Sequence, residues 1–202
     1  MKRFFALFTA VGITLTAGAQ TDPKAEQVLD NAAQAYNRAP GVEVQFEGTQ
    51  QGSLFMKKDC FFLDCGDVKS WFDGTTQWSY VASNEEVTVS NPTPEELQAT
   101  NPYAIISSYK TMYRCRYDGL QAYKGKQVHC IVLTPTDPDS QVQAVTLRLS
   151  TDYRPVSVRV DAEGGDTQMF DVVCYRKVDN LSPSTFRFDV KQYPGTEVID
   201  MR

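Results

Sequence analysis

Short runs in which every second residue is apolar recur along most of this chain, and that period confines it to a large sheet. Val42, Val44 and Phe46 alternate with Glu43, Gln45 and Glu47, which puts the first set on one face of a strand and the second on the other. Similar runs follow at residues 53–57, 60–64, 69–72, 77–81, 86–90, 112–117, 128–134, 142–150, 155–162, 168–176 and 186–190. Asp73-Gly74, Asp118-Gly119, Lys124-Gly125 and Gly164-Gly165 stand between them as turn signals. Hairpin spacing of this kind predicts about eleven or twelve strands in an antiparallel sheet, which must curl, split or close because flat sheets of that width are unusual.

Two stretches break the period of two. Between Asp22 and Arg38, Ala25, Val28, Leu29, Ala32, Ala33 and Tyr36 recur at helical spacing, Asp22 is placed to cap, and Pro23 suits the first turn. Further on, Thr93 and Glu96 have capping-box spacing, and Asn101-Pro102 divides that segment from Tyr103-Ala104-Ile105-Ile106-Ser107-Ser108-Tyr109. Two short helices are predicted there. Ile105 and Ile106 sit about 100° apart on a helix and share an apolar stripe with Tyr109, so this face should meet the sheet.

Residues 1–19 have the form of a cleavable export signal. Lys2 and Arg3 precede an uncharged, mostly apolar run, and Ala17-Gly18-Ala19 gives the small-x-small pattern cut by a signal peptidase. The run is shorter than the roughly 20 apolar residues that span a bilayer. The remainder, 20–202, is expected to form one soluble domain in the periplasm. Cleavage would take the net charge from −5 to −7 by removing Lys2 and Arg3, a balance that argues against nucleic acid and against adsorption to anionic membranes.

Five cysteines, at 60, 65, 115, 130 and 174, permit disulfides after export but leave an odd thiol. Cys60 and Cys65 would face opposite ways on one strand, about 16 Å apart at roughly 3.3 Å per residue. Cys115 and Cys130 remain open as a cross-strand pair or as small buried apolar groups. His129 is the one histidine; no paired CxxC, HExxH, GxSxG or glycine-rich phosphate loop accompanies it, so neither a metal, a cofactor nor a catalytic role is expected. What the chain does offer is aromatic surface on strands, including Phe46, Phe55, Phe62, Trp71, Trp78 and Tyr80. Aromatic residues of both parities occur, so either both faces of the sheet are partly covered or one is lined for an apolar guest.

The order of elements, with Gly52-Ser53-Leu54-Phe55-Met56-Lys57-Lys58, Trp71-Phe72-Asp73-Gly74-Thr75-Thr76-Gln77-Trp78-Ser79-Tyr80, Asn101-Pro102-Tyr103-Ala104-Ile105-Ile106 and Pro194-Gly195-Thr196-Glu197-Val198-Ile199-Asp200, resembles the outer-membrane lipoprotein carrier family of the LolA type. The resemblance implies an incomplete antiparallel β-barrel whose concave apolar face lies under an N-terminal helix and short lid helices. It implies a monomeric, non-enzymatic carrier of lipoprotein acyl chains, loaded by an inner-membrane lipoprotein-releasing transporter and unloaded to an outer-membrane acceptor. On this reading strands 1 to 6 line a groove, Phe46, Phe55, Phe62, Trp71, Trp78 and Tyr80 contact the chains, and Ile105 and Ile106 close it. The family's lid-latching arginine corresponds here to Lys58, whose compact ammonium lacks arginine's planar fork and should fasten the lid less firmly. A lipid- or lipoprotein-sensing module without transport is the alternative, and a hydrolase using His129 ranks last.

Overall fold

A computed structural model describes residues 21–94, 96, 97 and 102–202, with only the backbone of Pro102 and Tyr103. Asp22 is extended and its carboxylate accepts from the Lys24 amide at 2.7 Å, so helix α1 (Pro23–Asn37) starts with Pro23 in the first turn. Ala25, Val28, Leu29, Ala32 and Tyr36 form its buried face. Thr93 and Glu96 make the reciprocal capping box, 2.8 and 3.3 Å. Asn101, the expected joint between the two short helices, lies outside the described residues; helix α2 spans Pro102–Met112.

Twelve strands follow in chain order: β1 Val42–Gly48, β2 Gly52–Lys57, β3 Cys60–Asp64, β4 Val68–Phe72, β5 Gln77–Val81, β6 Glu86–Ser90, β7 Tyr113–Tyr123, β8 Lys126–Pro135, β9 Val142–Ser150, β10 Pro155–Ala162, β11 Thr167–Lys177 and β12 Glu197–Asp200. They form one open sheet in the order β12-β6-β5-β4-β3-β2-β1-β11-β10-β9-β8-β7. β1 pairs on both sides, with β2 and β11. The two ends of the sheet do not meet.

Three expectations need correction. The sheet is not wholly antiparallel, since β12 pairs in parallel with β6. Residues 186–190 form no strand: the chain turns in 3-10 geometry at Pro183–Phe186 and Val190–Gln192. Pro183 and local hydroxyl contacts such as Ser182 Oγ to Ser184 Oγ, 2.6 Å, favour that turn over a ladder. Asp118-Gly119 is a bulge inside β7 rather than a turn, where the register against β8 shifts between Tyr117 and Leu120.

Two apolar clusters divide the core. One joins α1 and α2 to β7–β10 through Leu29, Ile105, Ile106, Tyr109, Ile131, Leu133, Leu147 and Val158; the other centres on Tyr36, Val44, Leu54, Met56, Phe61 and Phe72. After β11 the chain crosses to the outer face. Val178 donates to the Gly41 carbonyl at 2.9 Å, Lys57 Nζ donates to the Leu181 carbonyl at 2.8 Å, and Arg187 pairs with Asp73 at 3.0 Å.

Candidate functional site

Between the clusters lies a cavity of about 180 Å³. Val44 and Phe46 of β1, Leu54 and Met56 of β2, and Leu63 of β3 form one wall; Leu147 and Leu149 of β9, Val158 of β10, and Phe170 and Val172 of β11 form the other. Ala32 and Tyr36 of α1 and Ile106 of α2 make the roof. β3 and β9 are five steps apart in the sheet, roughly 24 Å if it were flat at about 4.8 Å per step. Their side chains line one space because the sheet curves around the helices. Among the described residues, no Asp, Glu, Lys or Arg lines the cavity.

Two interactions hold the roof down. Tyr36 Oη donates to the Lys58 carbonyl at 2.7 Å, tying the end of α1 to the β2–β3 turn. Tyr109 Oη donates to Asp30 Oδ1 at 2.9 Å, and Lys110 Nζ pairs with the same carboxylate at 2.9 Å, joining α2 to α1. The Lys110 hydrogen bond holds the Asp30 carboxyl below its ordinary range. Lys58 has a φ of 55°, and among the described residues its ammonium makes no hydrogen bond or ion pair. The latch near Lys58 therefore runs from the helix to a main-chain oxygen, rather than from this lysine's side chain to the helix.

The start of α1 is stitched to β7 as well, by Asp22 N to the Cys115 carbonyl at 2.9 Å and by Tyr117 N to Asp22 Oδ2 at 3.2 Å. Hence α1 crosses the concave face from the first residues of β7 to the β2–β3 turn at one end of the sheet. Exposed Gln50 and Gln168, with Cys65, line the cavity at the other end. The backbone is crowded there: a Cβ on Gly52 would lie 2.4 Å from the Asp64 carbonyl oxygen and 3.1 Å from Cys65 Sγ. This is the mouth.

The aromatic residues read as one lining set are divided by the pleat. Phe46 reaches the cavity, where it meets Phe170 edge-on with centroids 5.7 Å apart. Ile106 lines the roof, and Ile105 is buried in the cluster beside it. Phe55, Phe62, Trp71 and Tyr80 lie on the outer face instead. There Phe62 stacks on Trp71 at 5.0 Å and on Phe55 at 6.2 Å, and Trp71 and Tyr80 meet Phe188 and Tyr193 of the crossing tail. Trp78 pairs with Trp71 across β4 and β5 and so shares that face. β1, β2 and β3 line the cavity with β9–β11, so it occupies the middle of the sheet rather than the span β1–β6. Leu54, Met56, Leu147, Val158 and Val172 also line it, although the sequence does not mark them as lining. The two-residue turn at Lys58-Asp59 does carry a signal for two of them, since it sets Phe61 opposite Met56 and Leu63 opposite Leu54.

The remaining chemistry-bearing groups serve packing. His129 Nδ1 lies 2.8 Å from Tyr117 Oη and its ring stacks on Tyr153, 3° from parallel. Burial, with a smaller effect of Lys24, lowers its pKa. Cys115 and Cys130 form no pair: Cys115 lies opposite Leu133 and Cys130 opposite Arg148, on opposite faces, and all five thiols are free. Burial pushes the Cys115 thiol up to about 12, which keeps it protonated and unreactive.

Comparison with protein families matches residues 15–165 to the outer membrane lipoprotein carrier protein LolA family. The chain belongs to this family. Distant solved structures are similar to the chain as well. An uncharacterized conserved protein from Thermus thermophilus is 13% identical with a TM-score of 0.62, covering 88% of this chain and 99% of that one. The lipoprotein LppX of Mycobacterium tuberculosis is 14% identical, with a TM-score of 0.47 over 80% of this chain and 100% of its own. A LolA superfamily protein of Nitrosomonas europaea is 12% identical, with a TM-score of 0.41 over 82% and 98%. At such identities the Thermus likeness shows the shared fold alone. No curated protein matches the sequence.

Proposed function

We propose that this LolA-family protein is an exported, monomeric carrier that holds the acyl chains of lipoproteins in the cavity under α1 and α2 and moves them towards the outer membrane. The observation that carries the reading is the uncharged, largely apolar lining; a binding site without a placed nucleophile or charge suits an alkyl guest and no chemistry. Phe46 and Ile106 contact the chain, and α2 is the lid. Residues 1–19 act as the leader, and the transporter and acceptor of the family's cycle are its partners.

Size decides how the site must work. An apolar cavity of about 150 Å³ accepts one benzene, so the closed cavity takes about six methylenes. At about 0.8 kcal/mol each these supply about 5 kcal/mol, no more than the lower range of the association cost of about 4–15 kcal/mol. A full acyl chain therefore requires the roof to lift. The purified protein should carry acylated material in an organic extract read by mass spectrometry, and should bind a synthetic triacylated lipopeptide and release it to an acceptor. An empty extract with no lipopeptide binding overturns the carrier; binding without release assigns the sensing role instead.

A further inference from the structure

Strand pairing brings five connections to the mouth end of the cavity. Ser53 lies opposite Asp64, Gly48 opposite Phe170, Val68 opposite Val81, and Val142 opposite Ala162, so the loops 49–51, 65–67, 82–85, 136–141 and 163–166 sit at one end. Together they hold Asp67, Glu85, Asp137, Asp139, Glu163 and Asp166 and no lysine or arginine. All six carboxylates are on exposed residues, and none joins an ion pair among the described residues. The neighbouring strand ends add Glu47, Asp64 and Asp161; of these Asp64 is paired with Lys69 and Asp161 with Arg159. At the other end Lys57, Lys58, Arg154 and Lys177 mix with acids. Among the described residues the cavity itself contributes no charge.

A guest chain buried in the cavity leaves its head at Gln50 and Gln168, inside this collar. Each carboxylate acts over about one Debye length, 8–10 Å at moderate salt, so Asp67, Glu163 and Asp166, on the loops beside Cys65 and Gln168, act on the head; the nearby cations Lys69, Arg159 and Lys124 are held by Asp64, Asp161 and Asp171 and do not neutralise them. We infer that the cavity selects amphiphiles whose head bears no negative charge, and that fatty acids and anionic phospholipids are excluded at the mouth rather than within the cavity. The inference rests on the cavity being the chain-binding site. It also means that an anionic bilayer repels the open end, so a chain must reach it on a carrier head that is neutral or cationic.

The test is fluorescence titration of the purified protein with 11-(dansylamino)undecanoic acid and with its primary amide, two probes that differ only in the charge at one end. The amide should bind about tenfold or more tightly at 20 mM salt, with the gap closing towards unity at 0.5 M. The exposed triple variant Asp67→Asn, Glu163→Gln, Asp166→Asn, checked for an unchanged melting curve, should narrow the gap at low salt by strengthening acid binding. Equal affinity for acid and amide at low salt overturns the charge selection and leaves the cavity as the binding site. Binding of neither probe overturns both.

Discussion

Phe46 and Phe62 are the same side chain in opposite surroundings, and a charge placed on each separates the cavity from the outer face. Phe46→Glu puts a carboxylate into a lining that has no counter-charge, so chain binding should fall more than tenfold in a lipopeptide titration. Phe62→Glu removes two ring contacts from the outer stack, each of about 0.5–1.5 kcal/mol. It should loosen the tail that rests on Trp71 and Tyr80, read as faster proteolysis after residue 186, while chain binding survives. The reverse pattern would place the guest on the outer face. His129 makes a prediction about pH. Burial favours its neutral ring, so the unfolded chain binds the proton more readily. Stability is complete above the ordinary value of 6.5 and is lost as pH falls from there towards the depressed value in the fold. His129→Gln should remove this early step from a pH series of melting temperatures, leaving the later acid loss from groups such as Asp30, whose lowered pKa gives a contribution that is lost on protonation below its ordinary 3.8. An unchanged profile would show that the ring's burial has no energetic weight.

At the scale of elements, the roof is where a side chain and a main chain exchange roles. The Tyr36 hydroxyl bonds to the Lys58 carbonyl, so Tyr36→Phe should remove about 1 kcal/mol and speed hydrogen exchange in α1 and residues 102–112 without a bound chain. Lys58→Ala keeps the carbonyl and should leave exchange as it is; acceleration by Lys58→Ala but not Tyr36→Phe would restore the lysine ammonium as the latch. The strands and α1 were legible because alternation and capping are local: β3, β5, β6, β9 and β10 run where the pattern puts them. The tail was not legible, since Phe188 reads as a strand residue until Trp71 and Tyr80, over a hundred residues away, are there to receive it. The same limit hid the parallel pairing of β12, whose partner β6 is equally remote. Parity told Phe61 from Phe62 but not which of them looks inward. That is settled only when α1 covers one face and the tail the other.

For the molecule as a whole, the cavity is a cost that the fold carries. An internal void destabilises by about 24 cal/mol per Å³, so about 180 Å³ represents on the order of 4 kcal/mol, a large share of the 5–15 kcal/mol typical of a native protein. A curved sheet with helices laid over it could close that space with larger side chains, and stability alone would favour doing so. Val172 is half-buried on the cavity wall opposite Phe46 in the β1–β11 register, and a phenyl ring there has room to enter. Val172→Phe should raise the melting temperature by a few degrees, corresponding to about 1 kcal/mol recovered in a domain of this size. The same substitution should reduce chain binding at least tenfold, because the methylenes and the new ring compete for one space. Thermal melts with and without lipopeptide would show both effects at once: the wild type gains stability from ligand as binding to the folded state requires, whereas the filled variant starts higher and gains little. A variant that melts lower yet still responds to lipopeptide would mean that the guest lies elsewhere and that this cavity is a packing defect.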